Sequence, residues 1–172
     1  MIWKVFQQIA TTGIRTEPAP DIGAAAQAEA SRIQAELLDI LGQALTIRQV
    51  DAGSCNGCEL EINALGNPYY NLEGLGIKFV ASPRHADLLL VTGPVSRNME
   101  MALKRTYEAT PEPKLVVAVG ECACDGGVFG ESYASCGRVA NVIPVDVTVP
   151  GCPPEPVEIL RGILTAVRRR VG

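Results

Sequence analysis

Two short, unbroken apolar runs constrain this chain most: Leu88-Leu89-Leu90-Val91 and Leu115-Val116-Val117-Ala118-Val119. Runs of this size match a strand and cannot span a bilayer. Apolar character at every position, with no polar alternation, means that both faces are covered. That is the mark of an inner strand in a parallel sheet. The neighbouring segments fit around these two. Leu45–Val50 alternates apolar and polar and predicts a first strand, and Ile77–Ala81 a second. The apolar runs extend to Asp87–Thr92 and Lys114–Val119 as the third and fourth, and Val142–Val149 predicts a fifth, weakened by Pro144. Helical spacing intervenes over Ser96–Ala109, with Met99, Leu103 and Tyr107 on one face, and closes the chain over Glu155–Arg170. Strands alternating with helices predict an α/β fold: a mostly parallel sheet with helices on both faces.

The residues before Leu45 read as an N-terminal extension. Ile2, Val5, Phe6 and Ile9 recur at helical spacing, with Trp3 beside the stripe. Such a segment either folds back on its own domain or serves as an apolar docking arm for a partner or a membrane surface. Arg15–Pro20 reads as an extended linker. Asp21 is a candidate N-cap for a helix over Ala24–Leu41, with Gly42 at its end. The expected division is therefore an arm and linker over 1–20, a helix over 21–43 and the α/β domain over 44–172.

Composition excludes several classes. The 172 residues are 47% hydrophobic but only 5% aromatic, which suits one domain with an aliphatic core and rules out a disordered chain. Fifteen Lys+Arg against nineteen Asp+Glu give no basic field for nucleic acid. There is no signal-peptide pattern, so the expectation is a soluble protein in a reducing compartment. There, six cysteines point to metal binding or redox work rather than disulfides.

The cysteines fall in a telling place. Cys55 and Cys58 follow the first predicted strand, Cys122 and Cys124 the fourth, and Cys152 the fifth. Ligands of open parallel sheets bind at the carboxyl ends of the strands. Cysteines distant in sequence thus converge at one edge. Four thiolates there suit a [4Fe-4S] cluster or a zinc ion, and a metal-free thiol pair is a third reading. Only one C-x-x-C pair is present, whereas structural zinc usually closes two such knuckles. Gly53, Gly57, Gly120, Gly126, Gly127 and Gly151 surround the cysteines, and Pro153 directly follows Cys152. Both features favour the cluster. No phosphate-binding glycine motif follows the first strand. The lone histidine, His85, precedes the third strand at the opposite end of the sheet and reads as a surface residue.

Four motifs carry a resemblance: Asp51-Ala52-Gly53-Ser54-Cys55-Asn56-Gly57-Cys58-Glu59-Leu60-Glu61, Thr92-Gly93-Pro94-Val95-Ser96, Val119-Gly120-Glu121-Cys122-Ala123 and Pro150-Gly151-Cys152-Pro153-Pro154. Their order and spacing resemble the small subunits of [NiFe]-hydrogenases and the 20 kDa, B-type subunit of respiratory complex I. Thr12–Pro18 looks like the membrane-bound, energy-converting branch. The resemblance implies a flavodoxin-like domain holding one [4Fe-4S] cluster on Cys55, Cys58, Cys122 and Cys152, next to the active site of a large catalytic subunit. Cys124 and Cys136 match no ligand position and are expected to be small buried residues.

Two departures sort the branches. The complex I subunit carries adjacent cysteines where this chain has Gly57-Cys58. The chain is also expected to lack the second domain of uptake-type hydrogenase small subunits. Both favour an energy-converting hydrogenase. Such a chain is expected to be non-catalytic alone and peripheral on the cytoplasmic face of the cell membrane. Its expected partners are a large nickel–iron subunit, a ferredoxin-like iron–sulfur subunit and a membrane subunit touched by the N-terminal arm. The alternatives are a B-type subunit of a quinone-reducing or other complex I-like oxidoreductase, and a zinc-stabilised binding module. Glu59 and Glu61 enter the helix after Cys58. They read either as acids favoured by the helix N-terminus, solvated there, or as a proton path, with Glu61 preferred.

Overall fold

The structure is a computed structural model that describes residues 2–12, 35 and 44–169. Among them, five strands form one sheet: β1 (Leu45–Asp51), β2 (Ile77–Phe79), β3 (Leu88–Thr92), β4 (Leu115–Val119) and β5 (Val147–Val149). Their order is β2-β1-β3-β4-β5. Every pairing is parallel, with Arg48 opposite Leu89, Leu90 opposite Val117 and Ala118 opposite Thr148. This is the flavodoxin-like order of a doubly wound sheet. The α-helices whose bounds lie among the described residues are α1 (Ile2–Thr12), α2 (Gly57–Ala64), α3 (Arg97–Ala109), α4 (Glu121–Asp125) and α5 (Pro156–Arg169).

The apolar runs behave as expected, because side chains alternate across a strand. Leu88 and Leu90 of β3, with Leu115, Val117 and Val119 of β4, meet Ile62 of α2 and Ile159 and Ile163 of α5. Leu89, Val91, Val116 and Ala118 enter a second core on the other face with Leu103 of α3 and Ala123 of α4. At the outer strand β5, Val147 and Val149 are buried while Thr148 is exposed. Gly162 lets α5 lie close to this strand: a Cβ there would come 2.2 Å from Val149 Cγ2.

One expectation is adjusted, one element is added and one expectation stays untested. The fifth strand is confined to Val147–Val149, and Val139–Asn141 forms a single 3₁₀ turn instead. Pro144 has no amide hydrogen for a ladder, and the backbone of Asp146 joins the sheet only through its amide to Val116 O at 2.9 Å. The short helix α4, carrying Cys122 and Cys124, was not expected, since five residues leave little periodicity to read. The helix expected over Ala24–Leu41 lies outside the described residues, Ala35 excepted.

Candidate metal centre

The loops after β1, β4 and β5 meet at the carboxyl edge of the sheet. Asp51 shapes the first: its Oδ1 accepts the amides of Gly53 and Ser54, both at 2.8 Å. Ser54 Oγ then accepts the Asn56 amide at 3.1 Å. Asn56 adopts a left-handed conformation (φ 74°) and turns the chain into α2, placing Cys55 before the helix and Cys58 in its first turn. The other two loops are tied together by Gly120 N donating to Val149 O at 2.8 Å and Glu121 N to Gly151 O at 2.9 Å. Cys122 and Cys152 therefore sit on neighbouring supports. The Cys152–Pro153 peptide is cis.

Glycines give the sulfurs room. A Cβ on Gly120, whose φ is +90°, would lie 2.5 Å from Cys58 Sγ; one on Gly127, at φ +52°, would lie 2.9 Å from Cys122 Sγ. Only glycine combines these backbone conformations with such approach. Cys55 and Cys152 are exposed, and Cys58 and Cys122 half-buried.

The four thiols share one electrostatic neighbourhood. Burial chiefly, then the charges of Glu59, Cys55, Cys122 and Cys152, push the Cys58 thiol up to about 12. Burial raises Cys122 as well, followed by Cys152, Cys55 and Asp125. Raised in this way, the thiols stay protonated near neutral pH unless a bound metal were to displace their protons.

The remaining cysteines point elsewhere. Cys124 is half-buried, its thiol directed at Ala118 O (3.7 Å), and burial pushes it up to about 11. Cys136 is buried, with Sγ 3.3 Å from Glu100 Oε2. His85 is exposed, in the turn before β3, as expected.

The two acids part company. Glu61 is half-buried. Glu59 is not solvated: it is buried, its Oε1 accepts the Thr92 hydroxyl in a short hydrogen bond, and its Oε2 has no partner. Sequence reasoning missed Thr92 in this role. The available signal was a hydroxyl residue ending an otherwise wholly apolar strand.

A parallel sheet with ligand-type side chains gathered at its carboxyl edge defines a doubly wound α/β subunit. Comparison narrows it. Residues 55–166 match the family described as NADH ubiquinone oxidoreductase, 20 Kd subunit, and the chain belongs to that family. It is 47% identical over 135 residues to a probable membrane-bound hydrogenase subunit of Pyrococcus furiosus, covering 78% of this chain and 81% of that one. It is 42% identical to formate hydrogenlyase subunit 7 of Escherichia coli, covering 78% of this chain but 53% of that protein. Among solved structures, a chain of an archaeal respiratory complex, the membrane-bound sulfane sulfur reductase, superposes with TM-score 0.65 at 34% identity, covering 77% of this chain and 75% of that one. A chain of an NAD+-reducing [NiFe]-hydrogenase shares the fold, with TM-score 0.56 at 18% identity over 72% of this chain and 92% of that one.

Proposed function

We propose that this chain is the electron-transfer subunit of a membrane-associated, hydrogenase-type complex, with Cys55, Cys58, Cys122 and Cys152 holding one [4Fe-4S] cluster. The observation that carries the reading is the meeting of these four thiols, from three loops, at one edge of the sheet. No three His, Cys, Asp or Glu among the described residues are set to hold a single metal ion. A single C-x-x-C pair, with the other two thiols arriving on separate glycine-rich loops, supports a multinuclear group over a lone zinc. When bound, the cluster supplies one-electron transfer. The chain's own part is to hold the thiols, limit water around Cys58 and present the edge to a partner.

The surface beside Cys122 suits such a partner. Val128 and Tyr133 are each 99% exposed and Phe129 is 61% exposed, on the loop that follows α4. Glu121, Asp125 and Glu131 are exposed around them. An apolar patch with an acidic rim fits a large subunit offering an apolar pocket with basic neighbours. At the other terminus, α1 exposes Trp3, Phe6 and Ile9. This supports the arm over 1–20 as the contact to a membrane subunit, apart from the domain over 44–172. No described helix is long and apolar enough to cross a membrane. The likeness to a membrane-bound hydrogenase subunit supports a peripheral location, which we propose is on the cytoplasmic face. A ferredoxin-like subunit would complete the electron path, and Glu61 stands as the candidate for a proton path.

Identity to the hydrogenase subunit favours a nickel–iron partner, whereas the likeness to the sulfane sulfur reductase supports a second reading, reduction of another acceptor. Anaerobic isolation of the native complex separates them. The expected large subunit carries two C-x-x-C pairs and nickel, and the complex evolves or oxidises hydrogen. A large subunit lacking either pair would remove the hydrogenase reading and leave electron transfer alone.

A further inference from the structure

We infer that Glu59 and Thr92 form a positioning pair that fixes Cys58 in the metal centre, an inference that rests on the cluster reading above. Thr92 ends β3, is fully buried, and is the one polar residue of that strand. Its hydroxyl donates to Glu59 Oε1 and also lies 3.4 Å from Val50 O, at the end of neighbouring β1. Glu59 directly follows Cys58 in the first turn of α2 and is only 7% exposed. The bond therefore joins the ligand-bearing turn to the centre of the sheet.

Stability alone does not account for this carboxylate. Its Oε2 is buried without a hydrogen-bond partner, a costly arrangement that an apolar residue would avoid. What Glu59 does provide is an acceptor reaching Thr92 from the residue beside a ligand. Cys58 needs such control, because its Sγ occupies the slot left by the missing Cβ of Gly120, 2.5 Å from where that atom would be. A small rotation of the first turn of α2 changes how this sulfur meets the other three. Outer partners that orient a ligand also set the properties of the metal they hold. The pair works through hydrogen-bond acceptance, so an amide oxygen at position 59 serves as well as a carboxylate.

The test uses the complete complex with Thr92→Val, Thr92→Ser, Glu59→Ala and Glu59→Gln. Iron content, the EPR spectrum of the reduced cluster, its midpoint potential and thermal unfolding are measured on each. Thr92→Val and Glu59→Ala are expected to alter the spectrum. They should also change the reduced-to-oxidised ratio at fixed potential about tenfold, about 59 mV for one electron. Thr92→Ser and Glu59→Gln are expected to restore the wild-type spectrum and potential. A merely structural tie would lower the unfolding temperature of Thr92→Val and leave spectrum and potential unchanged, which overturns the inference. So does Glu59→Gln behaving like Glu59→Ala, since charge would then be the active property. If Glu59→Ala does not assemble, the contrast between Thr92→Val and Thr92→Ser decides. Wild type without a four-iron cluster would overturn the cluster reading and this inference together; a wild-type cluster with an unresponsive Thr92→Val overturns only the pair.

Discussion

The two ends of the sheet are built on opposite plans. At the amino end, polar groups are satisfied within the chain. Asp87 Oδ2 accepts the Thr46 amide at 2.9 Å, and Asp146 Oδ2 accepts the Val116 amide at 2.7 Å. Each aspartate sits just before one strand and completes the ladder of its neighbour. Lys114 Nζ donates to Tyr107 O at 2.9 Å and Thr110 O at 3.0 Å, closing the last turn of α3, and lies 4.2 Å over the Tyr107 ring. At the carboxyl end, four thiols gather with glycines where side chains would intrude, and a buried carboxylate keeps one oxygen unpaired. The amino edge closes its polar groups with side chains, whereas the carboxyl edge leaves one carboxylate oxygen unpaired beside thiols that glycines leave room for.

If that division is real, substitutions at the two ends should fail differently. The largest effect is expected for Gly120→Val. Its Cβ would strike Cys58 Sγ, and a β-branched residue resists a φ of +90°. The variant should lose most of its iron, measured per folded chain by metal analysis alongside circular dichroism. Full iron content would show that the glycine cradle is not needed.

Gly162→Leu attacks packing away from the metal edge. With Val149 Cγ2 only 2.2 Å from the new Cβ, α5 must shift, at a cost of about 1–3 kcal/mol. Chemical denaturation should register this while iron per folded chain stays constant. Asp146→Ala is milder. It removes the acceptor of the Val116 amide; Val116 is buried but Asp146 itself is exposed, so water can partly take its place and about 1 kcal/mol is expected, again with iron unchanged. Loss of iron in either variant would break the separation between the two ends.

The smallest effect concerns Cys124. Burial pushes its thiol up to about 11, so at pH 8 it is almost wholly protonated. Because the thiolate is the nucleophile, its alkylation should be slow at pH 8. The rate should climb about tenfold per pH unit until it levels near 11. Peptide mapping after timed alkylation reads this directly, and Cys124→Ala should keep the cluster. Fast alkylation at pH 8 would place Cys124 in the exposed group with Cys55 and Cys152.

The inner strands were legible because an apolar residue at every position has one physical meaning: both faces are covered. The edge strand β5 was overread. Val142 and Val145 are only partly buried against the second core and belong to no strand, so hydrophobicity there reported packing, not pairing. At the metal edge, cysteine placement after strands located the site, since parallel topology brings strand ends together. The direction of each thiol was not legible. Cys122 and Cys124 are two residues apart on a helix of five, and only the backbone decides that one lies within the electrostatic reach of Cys152 while the other turns toward Ala118. The burial of Glu59 was hidden for a similar reason: an acid at a helix start favours exposure by composition, and its partner Thr92 lies 33 residues away.

The multinuclear iron centre proposed on Cys55, Cys58, Cys122 and Cys152 is open to direct chemical analysis. It is tested most directly by anaerobic iron, sulfide and zinc analysis of the isolated chain, with EPR after reduction. About four irons and four sulfides per chain are expected, with a spectrum of a single reduced [4Fe-4S] cluster, lost in Cys152→Ala and kept in Cys136→Ala. Stoichiometric zinc in place of iron, or a cluster that survives in Cys152→Ala, would contradict it.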